Sequence, residues 1–396
     1  MCKKMNKSTV ALVRCPSYNS RELRLALESC LDLVGGWGQQ FKRGRHVFVK
    51  INHLSAAASP DQAITTHPGF TREVISLLKD AGVRITVGDD ILYRGEDGYE
   101  KTGFRAVCRE LDVTLVNLKE GGFKEVRFDG MALKSAYLSR LALEADAVLN
   151  LPKLKTHSFT SYTGAVKNMF GLVPQGLRLA FHRRFFQRDI FSRMLVDVFS
   201  CLPPHLTIMD AVVGMEGEGP SAGRPRRIGL VLAGRNAVAV DAVAASVIGI
   251  RPMDIETIRL AAGRGVGPAD LNDIEIAGEK LEDVRIDDFR HSVISGTGFR
   301  SAWAQAFFAR VQTQLTYQPE VRPEACTACF HCRSICPARA IKRLRGKAWI
   351  HSRECIHCMC CHEICSSRAI RLRQRPAGRM IRIAERVYQK IGTRLG

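Results

Sequence analysis

A doubled cysteine run near the carboxyl end constrains this chain more than anything else in it. Cys326-x2-Cys329-x2-Cys332-x3-Cys336-Pro337 is followed, 29 residues on, by Cys355-x2-Cys358-x2-Cys361-x3-Cys365. The residues behind each run repeat as well, since Arg339-Ala340-Ile341 matches Arg368-Ala369-Ile370. This is the spacing of bacterial chains that hold two [4Fe–4S] clusters. Three thiolates at three-residue intervals wrap one face of a cubane, while the fourth lies on a following turn that faces the other cluster. The spacing therefore predicts one cluster on Cys326, Cys329, Cys332 and Cys365, and a second on Cys355, Cys358, Cys361 and Cys336. Paired C-x2-C units also serve zinc, but a tetrahedral ion takes four ligands and zinc modules do not repeat a run of this kind. Pro337 follows the first run and Ser366 the second; that proline shapes a turn and is not a ligand. Cys2, Cys15, Cys30, Cys108, Cys201 and Cys360 fall outside the register and read as isolated thiols.

Fourteen cysteines in 396 residues, with no apolar leader at the start, suggest the cytoplasm, where many thiols mean metal or redox chemistry rather than bridges. No stretch approaches the length of a membrane span; the longest apolar run, 237–250, contains Asp241 and Ser246 and reads as a buried helix. The formal charge of +20 is uneven. Residues 319–396 hold 17 Lys and Arg against 5 Asp and Glu, a net of +12, leaving +8 for the other 318 residues. Each all-thiolate cubane carries about −2 when oxidised, so two of them lower the local charge to about +8. The basic shell is partly compensation. With aromatics at only 7% and not interleaved with the basic runs, no nucleic-acid partner is expected.

Residues 1–285 alternate strand-like and helix-like segments. Short β-branched runs at 10–14, 47–51, 83–87, 113–116, 147–149, 206–209, 228–232 and 274–276 are separated by helical spacing, as at 21–33 and 70–81. Alternation of this kind predicts an α/β domain with a mostly parallel sheet. The 286–318 segment reads as a connecting helical linker, with Trp303, Phe307, Val311 and Leu315 at helical spacing. Residues 319–373 form a small α+β two-cluster ferredoxin-like domain, and 374–396 a basic amphipathic tail with Met380, Ala384, Val387 and Ile391 in one stripe. A second basic helix is expected over 178–194.

The densest polar segment outside the cysteine module runs from Asn150 through Pro152, Lys153, Lys155 and His157, then on to Lys167 and Asn168. It follows a strand and reads as a loop, and in parallel sheets the loops beyond the strands' carboxyl ends carry the ligand site. Lys153, Lys155, His157 and Lys167 suit an anionic group or an acid–base pair. Lys50, Asn52, His67, Asp89, Asn168 and Asp210 share that position at strand exits or helix starts and are candidates for holding a small-molecule ligand or cofactor. The Gly214–Pro220 stretch has no phosphate-binding register, and its glutamates would repel a phosphate.

Taken together, several runs resemble one family: Val49-Lys50-Ile51-Asn52, Thr66-His67-Pro68, Gly88-Asp89, Leu151-Pro152-Lys153-Leu154-Lys155-Thr156-His157, Gly164-Ala165-Val166-Lys167-Asn168, Ile208-Met209-Asp210, Glu216-Gly217-Glu218-Gly219-Pro220 and Val240-Asp241. It is the bacterial and archaeal family called domain of unknown function 362, whose members often carry a C-terminal ferredoxin module. The resemblance covers residues 8–285 and 319–372. It implies architecture and iron–sulfur binding; no reaction attaches to the family. In one departure, Gly88-Asp89 runs into Asp90-Ile91-Leu92 where members often have a Ser-Pro-Gly turn.

The expectation is an iron–sulfur redox protein, a ferredoxin-coupled oxidoreductase whose two [4Fe–4S] clusters exchange electrons with a site in the α/β domain. The alternative is a non-enzymatic electron-transfer or adaptor protein. Either way the basic module calls for an acidic redox partner protein, and the tail for peripheral contact with a membrane surface or that partner.

Overall fold

The computed structural model describes residues 7–56, 58–91, 98–185, 187–292, 317–365 and 367–374. In chain order the strands begin with β1 (Ser8–Arg14), β2 (His46–Ile51), β3 (Arg84–Asp89) and β4 (Thr114–Asn117). A separate hairpin, β5 (Phe123–Arg127) with β6 (Ser135–Ser139), follows. Then come β7 (Ala147–Leu151), β8 (Lys153–His157), β9 (Ser161–Thr163), β10 (Leu206–Glu216), β11 (Arg224–Gly234) and β12 (Ile274–Gly278). The main sheet runs β12-β1-β11-β10-β7-β2-β3-β4, with β8 on β10 and β9 on β8. All its pairings are parallel except those of β11 with β1 and β10, and of β8 with β9. The expected α/β class with a mostly parallel sheet is what forms.

Both faces of the sheet are covered. Because successive strand residues point to opposite faces, Val47, Val49 and Ile51 join one core while Phe48 joins the other. The first core takes the helices Ser20–Leu33 and Pro68–Asp80; the second takes Arg188–Cys201 and Ala237–Val247. Local chemistry starts these helices. The Asn19 side chain accepts from the Arg21 and Glu22 amides, Asn236 does the same for Val238 and Ala239, and His67 caps a helix whose first residue is Pro68. Ala237–Val247 is buried all round, as its unbroken apolar run requires.

Topology positions the site. The chain moves outward from β2 through β3 to β4, then returns to lay β7 on the other side of β2. The carboxyl ends of β2 and β7 thus flank a switch point, where open α/β sheets place their ligands. Pro152 interrupts the strand there, and its carbonyl accepts from the Asp210 amide, so that β8 continues along β10. The polar segment expected as a loop is therefore a buried strand.

One further expectation changes. The helix expected over 178–194 is two, Gln175–Arg184 and Arg188–Cys201. Most of the 286–318 linker (293–316) and of the basic tail (375–396) lie outside the described residues, as do Cys2 and Ser366. In the cysteine region, β13 (Tyr317–Val321) pairs antiparallel with β16 (Ile370–Gln374), and β14 (Ile341–Leu344) with β15 (Lys347–Ile350). The short helices His331–Ile335 and Cys360–Ile364 complete it.

Candidate functional site

Four lysines converge at the switch point, each differently partnered. Lys50, on β2, is fully buried with its Nζ 2.8 Å from Asp89 at the end of β3. Asp89 also accepts from the amides of His53 and Asp90. A Cβ at residue 171 would stand 2.7 Å from both the Asp89 carboxylate and the Lys50 ammonium, which is why glycine backs this pair. Lys153 donates to Asp210 on β10 at 2.7 Å and to the Tyr18 hydroxyl, which itself donates to Asp210. The His67 amide completes that carboxylate's shell, and the His67 ring stacks on Tyr18 at 3.6 Å.

Lys155 lies two residues further along β8 and is as buried, yet its Nζ meets only neutral oxygens, Asn52 Oδ1 at 2.6 Å and the Ile64 carbonyl at 2.7 Å. Burial first, then Lys167 and Lys153, push its pKa well below that of a free lysine. An ammonium held this way carries a desolvation cost that Glu363 and Asp89, neither of them hydrogen-bonded to it, only partly offset.

His157 ends β8. Its Nδ1 accepts from the amides of both Phe159 and Thr160, so the proton of the neutral ring belongs on Nε2. Nε2 lies 2.8 Å from Lys167 Nζ. An ammonium there would face a ring N–H donor to donor, whereas a neutral amine accepts it. Burial also depresses the pKa of Lys167, against the opposing pull of Glu363. Lys167 and Asn168 sit on the short helix Ala165–Asn168, whose first amides donate to Asp241. Asn168 in turn donates to Asn150. Burial raises the Asp241 carboxyl to about 6 despite those bonds.

All ten large-domain positions singled out from the sequence thus meet in one zone at the sheet's carboxyl edge. Sequence reasoning passed over Tyr18, Asp241, Ser158 and Glu363. For Tyr18 no local signal exists, because its partner Asp210 is 192 residues away. For Asp241 the signal was present: a carboxylate inside an otherwise apolar helix must find partners.

The eight register cysteines fall four and four around two pockets. One is lined by Cys336, Cys355, Cys358 and Cys361, the other by Cys326, Cys329, Cys332 and Cys365. Among the described residues, no three His, Cys, Asp or Glu side chains converge on a single-ion position. The backbone repeats at the same offset as the sequence. Ala328 and His357, Phe330 and Met359, and Arg339 and Arg368 all take positive φ, between 52° and 62°. Non-glycine residues bear that conformation only where the fold imposes it. Alternating left- and right-handed residues turn successive amides inward, as in anion-binding nests. The Ala340 amide donates to Cys336 Sγ at 3.3 Å and the Ala369 amide to Cys365 Sγ at 3.2 Å, bonds that favour a thiolate.

The helix Cys360–Ile364 joins the two sites. His362 sets Nδ1 2.8 Å from the Ile370 carbonyl and Nε2 3.2 Å from the Glu218 carbonyl. Ser221 donates to the His362 carbonyl, and Ser158 lies within reach of the ring. Glu363 brings its carboxylate 3.3 Å from His157 Nε2. The glycine-rich Glu216–Pro220 stretch is thus the seat of the cysteine module.

This arrangement defines a class: an α/β domain whose switch point is a buried lysine–histidine site capped by a cysteine-rich module. The chain belongs to the family described as Domain of unknown function (DUF362), whose model matches residues 47–246 and so takes in nearly all of that site. It is 31% identical over 262 residues to "Thylakoid-associated protein sll1697" of Synechocystis sp. (strain ATCC 27184 / PCC 6803 / Kazusa), covering 66% of this chain and 80% of that protein. The lactate racemase apoprotein of Thermoanaerobacterium thermosaccharolyticum aligns with 58% of this chain and 54% of its own, at 13% identity and a TM-score of 0.38. Among the described residues no helix is long and apolar enough to cross a membrane.

Proposed function

We propose that this protein is an iron–sulfur redox protein in which residues 319–373 form a ferredoxin-like domain with two [4Fe–4S] clusters. Cys326, Cys329, Cys332 and Cys365 hold one, and Cys355, Cys358, Cys361 and Cys336 the other. The clusters supply one-electron transfer when bound. The four-and-four lining of the two pockets and the amide bonds to Cys336 and Cys365 fit such groups.

The observation that carries the reading is the contact of the Cys360–Ile364 helix with His157, which puts a ligand-bearing helix directly on the buried lysine site. Electrons exchanged there serve an anionic substrate or cofactor. Lys155, with no carboxylate of its own, binds its charge; Lys167, as a neutral amine beside His157, accepts or returns a proton. Lys50, Asn52, His67, Asp89, Asn168 and Asp210 hold these groups in place. We assign the protein to the cytoplasm, where its thiols stay reduced.

A second reading, an electron-transfer adaptor without catalysis, is favoured by the way Asn52, Ile64, Phe159 and Thr160 already occupy Lys155 and His157. One set of measurements tests both. Anaerobically purified protein is expected to hold about eight iron and eight sulfide per chain; iron near zero with stoichiometric zinc overturns the cluster reading. Lys155→Ala and His157→Ala are expected to keep the iron and lose any co-purifying ligand and turnover. If both survive in the variants, the adaptor reading replaces the enzyme.

A further inference from the structure

The two cysteine runs are equivalent in sequence and opposite in environment. Cys329, His331, Arg333 and Ser334 of the first are exposed, while at matching positions of the second Cys358, Cys360, His362 and Glu363 are buried, the last three of them facing Lys167, Glu218 and His157 of the α/β domain. The inner run already has its neighbour. The β14–β15 hairpin borders both pockets, Ala348 lining that of Cys326, Cys329, Cys332 and Cys365, and Ile341 and Ile350 the other.

That hairpin has the make-up of a docking face. Residues 341–350 carry Lys342, Arg343, Arg345 and Lys347 and no acidic residue. Among these cations Leu344 and Trp349 remain 52% and 42% exposed. An apolar centre within a charged rim is the anatomy of a protein interface, and arginine and tryptophan are enriched in such places. The face also connects to the first run directly: Lys347 donates to the Cys326 carbonyl at 2.6 Å, and the Arg343 guanidinium lies 5.5 Å from the Phe330 ring centre.

We propose that the β14–β15 hairpin, with the Cys326–Cys332 loop, is the docking surface for an acidic electron-donor protein, and that electrons enter at the first cysteine run and leave inward through the second. The inference rests on the two-cluster reading. In the entry step the donor's reduced centre gives up one electron and the outer cluster gains it, with no bond made or broken. Charge complementarity selects the occupant, since a like-charged protein would be repelled and an acidic one steered.

The test uses the full-length holoprotein and, as probe, a reduced acidic plant-type [2Fe–2S] ferredoxin. The variant Arg343→Glu/Leu344→Ser/Arg345→Glu is compared with Arg345→Glu alone, a milder change at an exposed turn, and with Arg21→Glu on the exposed side of a distant helix. At low salt the triple variant is expected to raise the Kd for the donor at least tenfold and to slow second-order reduction by a similar factor, with the gap closing as salt rises. Reduction by dithionite and iron content are expected to stay unchanged. Arg345→Glu is expected to show a smaller effect of the same sign, and Arg21→Glu none. Donor binding unchanged in both hairpin variants, or equally weakened by Arg21→Glu, overturns the proposal. So does a hairpin variant that loses affinity for a random-sequence DNA duplex while keeping the donor. Wild-type protein without iron that still binds the donor through this face defeats the cluster reading and leaves the docking surface standing.

Discussion

Lys153 and Lys155 stand two positions apart on one strand, equally buried, and their partners make them opposite in kind. Lys153 closes a pair with Asp210 that Tyr18 and the His67 amide also share. Removing one side of such a pair strands the other in the interior. Lys153→Met is therefore expected to cost about 3–5 kcal/mol in a urea titration. Among the described residues Lys155 hydrogen-bonds only neutral oxygens, and its removal takes away a charge that Glu363 and Asp89 only partly compensate. Lys155→Met is expected to leave stability within about 1 kcal/mol of wild type, the lost desolvation cost offsetting two orphaned oxygens. A fall as large as that of Lys153→Met would mark Lys155 as structural. Histidines make a second test at this scale. Burial lowers His53 and His67 to about 4 and His182 to about 3. The unfolded chain takes up these protons near pH 6.5 and the folded chain does not, so stability falls as pH drops from there toward 4. His53 and His182 each steepen that fall by up to about 1.4 kcal/mol per pH unit. Asp241, raised to about 6, opposes it, because the fold holds that proton through the window down to 3.8. Urea midpoints between about pH 7 and about pH 5 are expected to show a shallower slope in His182→Phe than in wild type.

At the scale of elements, the loop Glu216–Pro220 decides how the cysteine module sits. Gly219 runs so close to β8 that a Cβ would collide with the Thr156 carbonyl, a backbone atom with nowhere to go. The Gly219 carbonyl meanwhile accepts from the Ser158 amide, and that of Glu218 faces His362. Gly219→Ala is expected to lift the loop from β8 and release His362, at about 1–3 kcal/mol. Hydrogen exchange checks this: amides of 360–364 should exchange faster while those of β2 and β7 keep wild-type protection. This loop also shows where sequence reading stops. The β-branched runs declared the strands, because alternation has a physical period that a single segment carries. The spacing of the cysteine runs, also periodic, divided them into the two groups of four that line the two pockets. Lys153–His157 looked like a loop because charged residues seldom line a strand buried on both sides; tertiary pairing with Asp210 overrode that prior. The role of Gly219 was invisible, since its partners Thr156 and Ser158 lie some 60 residues earlier in the chain.

For the whole molecule, the governing fact is that a symmetric module sits on an asymmetric support. Its two halves share spacing, left-handed turns and amide-to-sulfur bonds, so under the proposed two-cluster reading they would, if isolated, hold their clusters alike. Docking breaks that equivalence: His331, Arg333 and Ser334 are exposed, whereas their counterparts Cys360, His362 and Glu363 lie buried, facing Lys167, Glu218 and His157. Oxidants and chelators reach an iron–sulfur site through solvent, and exposure is one of the levers that set its chemistry. Under that reading, the cluster proposed on Cys326, Cys329, Cys332 and Cys365 should therefore be lost first. Under air with a chelator, iron per chain is expected to fall in two phases, from about eight to about four and then more slowly to zero. Gly219→Ala supplies the control, because a module loosened from the α/β domain regains its internal symmetry. In that variant the two phases should merge through acceleration of the slow one alone. A single phase in the wild-type protein would mean that docking does not shield the inner run, and the inward direction of electron flow would lose its structural basis.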